Sequence, residues 1–316
     1  MKYRVFGKTG MNVSAMTLGT WGMGGAGWDV YEESDKADAI KAAFEEGVNF
    51  FDTAPAYNAG EAERVLGRAL GNLGIRRQVH ISTKCGNIFK GGKVFVRDGR
   101  FDTIIRQCDE SLKNLRTDYI DLMLIHWPDP ATPFEETMDA LLHLKKEGKI
   151  LHIGVSNFSI SQMQEIGQFG EIEAYQPQYS MVHRDAEDIM RYAAAENMGI
   201  MTYGSLGGGI LSGKYRTLMT FPETDNRSRF YRHFREPMFS RVMKLLAVMD
   251  EVSEGSGLPL PQIALNWCYS QPLVSTCIVG AQKRERVVEN ARSFDAQLSP
   301  EDMRLLNEAV EALERE

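Results

Sequence analysis

Asp52, Tyr57, Lys84 and His126 supply a carboxylate, a phenol, an amine and an imidazole, and each stands at or just beyond the end of a short apolar run. Those runs, FFDT, VHISTK and DLMLIH, read as successive buried strands of a parallel sheet. Parallel strands that end together would deliver all four groups to one rim, where they describe a proton-transfer device centred on Tyr57. A phenol titrates near pH 10, about three units too high for ready exchange at neutrality. A neighbouring ammonium stabilises phenolate and lowers that value, and a carboxylate keeps the ammonium charged and in place. Lys84 and Asp52 are expected in those two parts, with His126 hydrogen-bonding and orienting a substrate oxygen.

The elements that must hold these groups alternate in type. A small hairpin is expected at Tyr3–Phe6 and Asn12–Ala15. Core strands then fall near Met16–Gly19, Phe50–Asp52, Val79–Lys84, Tyr119–His126, Leu151–Val155, Ala174–Gln176, Gly199–Tyr203 and Thr276–Val279. Helical spacing lies between them. Ile104, Ile105, Cys108, Leu112 and Leu115 mark one buried face, Phe134, Met138, Leu141 and Leu142 a second, and Ile189, Met190, Ala193 and Ala194 a third. Ser34 and Asp35 are expected to cap a helix that runs from Lys36 and ends at Gly47.

Eight such units predict an α/β protein of the (β/α)8 TIM-barrel class, with an N-terminal β-hairpin and long βα loops, residues 1–316 forming one domain. A doubly wound open sheet is the structural alternative. It lacks its GxGxxG turn after the first strand, because Gly22–Gly27 has different spacing. Trp21–Glu33, Gly86–Arg100 and Tyr215–Arg235 are too long for simple connections, and all three follow strands, so they are expected on the catalytic rim.

A net charge of −7 with no Lys/Arg run of five or more argues against nucleic acid or an anionic membrane as partner and for small-molecule chemistry. No apolar stretch approaches the roughly 20 residues that span a bilayer. The N-terminus has no hydrophobic signal core, so a cytoplasmic protein is expected. Cys85, Cys108, Cys268 and Cys277 form no CxxC pair and no ligand cluster with histidine, and are read as buried free thiols with no metal site.

The stretches NFFDTAPAYNAGEAERVLGRAL, HISTK, LKNLRTDYIDLMLIHWPD and KILHIGVSNFS, in this order, resemble the signature segments of the aldo-keto reductases, and the resemblance runs from Val5 to about Leu306. It implies a barrel that binds a nicotinamide cofactor in extended form. It also implies Tyr57 as general acid in carbonyl reduction, Lys84 tuning it, Asp52 paired with Lys84, and His126 positioning the carbonyl. The substrate is then an aldehyde, a ketone or the corresponding alcohol, held among Trp21, Tyr57, His126 and Trp127.

The same resemblance implies the cofactor contacts. Ser156, Asn157 and Gln178 match positions that hold the carboxamide, with Tyr203 stacking on the nicotinamide ring and Thr20, Trp21 and Asp52 completing that end. Polar amides and hydroxyls suit a carboxamide, which offers both donors and an acceptor. The run YGSLGGGILSGKY matches the pyrophosphate loop, with Gly204, Ser205, Leu206, Gly207, Gly209, Lys214 and Arg227 as contacts. Gly204-Ser205 stands where the family more usually has Ser-Pro. At the adenosine end the matching positions are Gly280, Gln282, Arg286, Glu289 and Asn290. Lys283, Arg284 and Arg286 crowd the start of a helix, where the dipole disfavours cations, and so point to an anionic ligand. NADP(H) is therefore expected, with NAD(H) open as a second cofactor.

Two other functions are weighed against this one. Lys84 as the Schiff-base amine of an aldolase leaves the carboxamide and adenosine sets without a purpose. An NADPH-binding, redox-sensing regulatory subunit would retain all four central residues, since the family includes channel-associated β subunits. Trp21, Trp28, Phe89 and Trp127 are candidates for an apolar or sugar-stacking wall. Sugars, steroids and small aldehydes all stay open as substrates.

Overall fold

The computed structural model describes residues 1–25, 31–90, 94–223 and 225–315; the side chains of residues 89, 90, 94, 95, 228, 229, 314 and 315 are outside that description. Two of the wall candidates, Trp28 and the side chain of Phe89, therefore lie outside the described residues. The strands are β1 (Tyr3–Val5), β2 (Asn12–Ser14), β3 (Met16–Gly19), β4 (Phe50–Asp52), β5 (His80–Cys85), β6 (Asn87–Lys90), β7 (Val94–Arg97), β8 (Ile120–Ile125), β9 (Ile150–Ser156), β10 (Ala174–Gln176), β11 (Gly199–Thr202) and β12 (Thr276–Gly280). The helices are α1 (Glu33–Glu45), α2 (Glu61–Leu73), α3 (Phe101–Leu115), α4 (Phe134–Lys146), α5 (Ile160–Ile166), α6 (Glu187–Ala195), α7 (Asn226–Phe230), α8 (Met238–Ser256), α9 (Leu260–Ser270), α10 (Arg284–Arg292) and α11 (Pro300–Arg315).

Strands β3, β4, β5, β8, β9, β10, β11 and β12 pair in parallel in that order, and β12 closes on β3. The result is the expected (β/α)8 barrel. The strands are apolar on both faces because helices cover the outside while side chains fill the inside. Alternation decides which residue goes where. Phe50, Leu122, Leu124, Ala174, Met201 and Ile278 form the inner cluster, whereas Phe51, Ile81, Met123, Ile153, Val155 and Val279 join the larger cluster under the helices.

Same-parity residues further along the strands therefore also point inward. These are Asp52, Ser82, Lys84, Ser156 and Gln176, with Tyr203 just beyond β11. Gly154 is needed inside because a Cβ there would lie 2.6 Å from Leu124 Cδ2 and 2.8 Å from the Ala174 carbonyl. The strands' N-terminal end is plugged by Phe6, Met11 and Val13 of the β1–β2 hairpin region, and Phe6 meets Phe50 edge to face at 5.6 Å.

Several local expectations need correction. Helix α1 starts at Glu33 with Glu32 as N-cap and no side-chain cap, so Ser34 and Asp35 lie inside its first turn. Asp35 there faces the positive end of the helix dipole, which favours it without any capping bond. Leu142 and Ala194 belong to the exposed sides of α4 and α6, because each is displaced from the stripe that Met138, Leu141, Met190 and Ala193 bury. The Gly86–Arg100 connection contains an antiparallel hairpin, β6–β7, that its Gly/Lys-rich centre hides from a pattern search. Among the described residues no helix is long and apolar enough to cross a membrane, and no group of three or more His, Cys, Asp or Glu is placed to hold a metal.

Two buried carboxylates tie strand starts together at the barrel's lower end. Asp121 accepts from Arg76 at 2.8 Å and from the Ile81 N–H at 2.9 Å. Glu173 binds His152 and Lys145, each at 2.7 Å, and accepts from the Ile153 N–H at 3.0 Å. Burial pushes the Glu173 carboxyl up, but its three hydrogen-bond partners prevail and hold it at about 2. A depressed carboxyl adds stability above its unfolded value and loses it as pH falls through the folded value. Acid unfolding should therefore weaken the wild type between about pH 4.5 and pH 2, and Glu173→Gln should flatten that window; identical pH dependence of urea midpoints for the two proteins would contradict this.

Candidate active site

Lys84 is 1% exposed, and an ammonium there needs an acceptor for every proton. Strand β4 brings Asp52, whose Oδ1 and Oδ2 lie 2.7 and 3.0 Å from Nζ. The Thr53 carbonyl accepts at 2.9 Å and the Tyr57 hydroxyl oxygen at 3.0 Å. All three ammonium directions are thereby used. Tyr57 Oη accepts from Lys84, which leaves the phenol's own proton available to another acceptor.

Asp52 is held as firmly as Lys84. Its Oδ2 accepts from Ser82 Oγ and Gln176 Nε2, each at 2.8 Å. Its backbone carbonyl accepts from Thr20 N at 2.9 Å and Thr20 Oγ1 at 3.0 Å. Sequence reasoning passed over Ser82 and Gln176, although a signal was present: each stands two residues before a chosen polar residue, Lys84 and Gln178, and so shares its face. The hydroxyl of Thr20, a position expected at the cofactor, donates to the backbone of the strand that carries Asp52.

The electrostatics depart from the first expectation for Tyr57. Burial, and then the Asp52 carboxylate, hold the phenol well above its usual range, so the balance runs opposite to lowering by Lys84. Asp52 lies against Lys84 and offsets its charge as seen from the phenol. Burial pulls Lys84 down while Asp52 opposes the shift. His126 is held well below its usual range by burial and by Lys84, so its imidazole is neutral at pH 7. Tyr57 lies edge to face with His126 at 6.1 Å and stacks on Trp21 at 6.0 Å.

Around this centre the other candidates divide. Asn157, at a left-handed φ of 62°, donates Nδ2 to the His126 carbonyl and to Ser156 Oγ, both at 2.9 Å, and its Oδ1 accepts from Tyr203 Oη at 2.9 Å. Ser156 Oγ donates to the Gln176 carbonyl at 2.8 Å. Residues 156, 157, 176 and 203 thus form one connected polar floor. Gln178 lies just outside it, bridged to Tyr203 by backbone, with its side chain beside Gly204.

After β11 the chain runs through Gly207, Gly208 and Gly209 at φ of 57°, 63° and 95°. A Cβ on Gly208 would meet the Tyr231 ring at 2.9 Å, so the bare backbone of this turn is required. The turn closes on itself, the Gly207 N–H donating to the Gly204 carbonyl at 2.8 Å and the Gly209 N–H to the Leu206 carbonyl at 3.0 Å. Leu206 is partly buried beside it, while Ser205 is buried and turned back toward the Thr202 carbonyl at 3.5 Å. Lys214 is exposed, 5.5 Å over the Tyr215 ring. Arg227 is neutralised by Asp225 at 2.5 Å and also bonds Tyr215.

At the far end, Gly280 pairs with Gly19, and Gln282 packs against Gly22. Asn290 is buried, and Arg286 pairs with Glu289 at 2.6 Å while staying 70% exposed. Arg284 corrects the reading of three ligand-seeking cations: its guanidinium lies 2.9 Å from carboxylates of Asp38 and Glu45 on α1. Lys283 sits 5.2 Å over the Tyr31 ring. Trp127 is partly buried under Arg97, 5.1 Å from its ring. Phe230, which no periodicity could single out, meets Trp21 edge to face at 5.6 Å from the long loop after β11.

Fold and rim together are those of a barrel protein with its polar groups gathered at the C-terminal ends of its strands, as barrel enzymes have them. The sequence model of the Aldo/keto reductase family matches residues 15–311, and the chain belongs to this family of oxidoreductases. It is 34% identical to the aldo-keto reductase YhdN of Bacillus subtilis over 313 residues, covering 98% of this chain and 94% of that protein. It is 32% identical to the NADH-specific methylglyoxal reductase of Escherichia coli over the full length of both. Among solved structures it resembles the glycerol dehydrogenase of Gluconobacter oxydans, with a TM-score of 0.86, 32% identity, and coverage of 96% of this chain and 93% of that one.

Removing one partner of a buried ion pair leaves the other charged and unpaired, at a cost of about 3–5 kcal/mol. Lys84→Met should destabilise the fold by that order in urea denaturation, and Lys84→Met with Asp52→Asn should recover part of the loss. Equal losses in the single and double variants would show that the pair is not what holds this rim.

Proposed function

We propose that the protein transfers a hydride between NADP(H) and an aldehyde or ketone, or the corresponding alcohol, with Tyr57 as the proton donor and acceptor. The observation that carries this reading is the 3.0 Å contact in which Lys84 Nζ donates to Tyr57 Oη. It leaves the phenolic proton free for a substrate oxygen. The phenol is held above its usual range and so is protonated at neutral pH, and its donation depends on a cation that stabilises the phenolate as it forms.

As the proton leaves Tyr57, the adjacent ammonium stabilises the phenolate, so Lys84 acts most strongly where negative charge develops. Asp52 keeps that ammonium protonated in its dry setting, and Ser82 and Gln176 keep Asp52 aimed at it. Neutral His126, edge-on to Tyr57, donates a ring N–H to the substrate oxygen and fixes its approach. For alcohol oxidation the same contacts operate in reverse, with Tyr57 accepting the proton.

A bound nicotinamide cofactor supplies or takes the hydride. The groups suited to hold it are Asn157 and Ser156 at its carboxamide, with Gln176 taking the place expected for Gln178 because Gln178 lies outside the connected polar floor, the Tyr203 ring at its nicotinamide face and the glycine turn at its pyrophosphate. Arg286, Gln282, Glu289 and Asn290 then take the adenosine end. The exposed guanidinium of Arg286 favours NADP(H) through a 2′-phosphate; with Arg284 tied to α1, a single arginine carries that preference. NAD(H) would use the remaining contacts, and the Escherichia coli relative is an NADH-specific reductase.

Tyr57→Phe should lower kcat for carbonyl reduction by about 10²–10⁴-fold while NADPH still binds, since it removes only the transferable proton. Turnover equal to wild type, followed by NADPH absorbance over a carbonyl panel, would refute the assignment. Arg286→Ala should weaken NADPH by roughly tenfold or more, the loss of one charge-assisted hydrogen bond, and leave NADH nearly unchanged. Equal weakening of both cofactors in fluorescence titrations would remove Arg286 from 2′-phosphate recognition.

A further inference from the structure

At the end of the barrel opposite the proposed active site, the turn before β5 and the C-terminal turn of α3 line an open surface cleft of roughly 530 Å³. Its lining includes four cations, Arg76, Arg77, Lys113 and Arg116, against one carboxylate, Asp118. Arg76 is a fixed wall. Its guanidinium is bonded to Thr117, Val79, Tyr119 and Asp121 and lies 4.0 Å over the Tyr119 ring. Arg77, Lys113 and Arg116 are exposed, and none of them makes an ion pair among the described residues. On a chain of net charge −7, where most arginines find a carboxylate, three adjacent unpaired cations repel one another.

The α3 dipole favours Lys113 and Arg116, which sit at its negative end. It does not account for Arg77, which enters from a different connection. Nor does stability account for the three, because their side chains make no hydrogen bond or ion pair among the described residues while the neighbouring Arg76–Asp121 pair ties this end of the barrel. We infer that this cleft binds a small, multiply charged phosphate-bearing anion, such as a phosphorylated metabolite or a polyphosphate. Arginine forks match phosphate oxygens two at a time, and two arginines with a lysine can neutralise several charges.

The cleft volume falls within the usual range for small ligands, about 300–1,000 Å³. The chain's net negative charge opposes an extended polyanion such as nucleic acid. Strand β5 separates the cleft from the Lys84 rim by about 15–20 Å, so its occupant is distinct from the cofactor.

The test is calorimetric titration of inorganic tripolyphosphate at low ionic strength into the full-length chain. The wild type should bind, more weakly as salt is raised. The variant Arg77→Ala/Lys113→Ala/Arg116→Ala should lose affinity tenfold or more with an unchanged melting temperature. Asp118→Asn, which removes the one opposing carboxylate, should bind more tightly than wild type. Arg286→Ala, at the proposed adenosine site, should bind as wild type does. The inference is overturned if wild type gives no binding, if Arg286→Ala rather than the triple variant abolishes it, or if Asp118→Asn weakens it. Single-stranded DNA binding more tightly than tripolyphosphate would overturn the small-ligand assignment.

Discussion

A buried ammonium has to be surrounded by acceptors, and the upper half of this barrel is arranged around that demand at Lys84. Asp52, the Thr53 carbonyl and Tyr57 take its three protons. Asp52 in turn requires donors for its remaining lone pairs, which Ser82 and Gln176 supply. Gln176 is linked through its carbonyl to Ser156, Ser156 to Asn157, and Asn157 to Tyr203. One desolvated charge thereby links the neighbouring pair β4 and β5, across the barrel interior, to the neighbouring pair β9 and β10. In a low-dielectric interior such a network tolerates no missing member, because each unpaired polar atom costs about 1–3 kcal/mol.

The same arrangement separates two functions of the barrel interior. Its lower layers are filled chiefly by apolar side chains and sealed by Phe6 and Phe50, with the Thr17–Thr276 hydroxyls satisfying each other at 2.7 Å, so they serve packing. Its upper layer is polar and open, so it serves chemistry. Period-two alternation makes both from the same strands: the face that carries Phe50 carries Asp52 one step higher. At the lower end Asp121 accepts from the Ile81 N–H near the start of β5 and Glu173 from the Ile153 N–H midway along β9, which pins the strands in register without reaching the rim.

The loops add what the strands cannot. Trp21 stacks on Tyr57, and Phe230 reaches Trp21 from a separate connection, so the wall beside the phenol is assembled from distant parts of the chain. The short helix α7 that ends at Phe230 also carries Arg227, which Asp225 and Tyr215 already hold. Charge in a loop is therefore a poor guide to ligand contact unless its nearest carboxylates are known. Arg284 makes the same point at the start of α10, where α1 supplies two partners.

The barrel class, its eight strands and the quartet Asp52, Tyr57, Lys84 and His126 were legible in the chain alone, because alternation and apolar runs are local properties that survive folding. Ser82 and Gln176 were legible too, had parity been followed two residues back from Lys84 and Gln178. Other features depended on contacts across long sequence separations and had no local trace. The Asp52–Gln176 bond joins residues 124 apart, Arg284 meets Asp38 across 246, and the raised Tyr57 phenol results from burial combined with the placement of Asp52. Sequence by itself determined which groups stand at strand ends, since period and composition set that. Tertiary structure decided which of them are charged, paired or exposed, since desolvation and partnership arise only when distant segments close around one another.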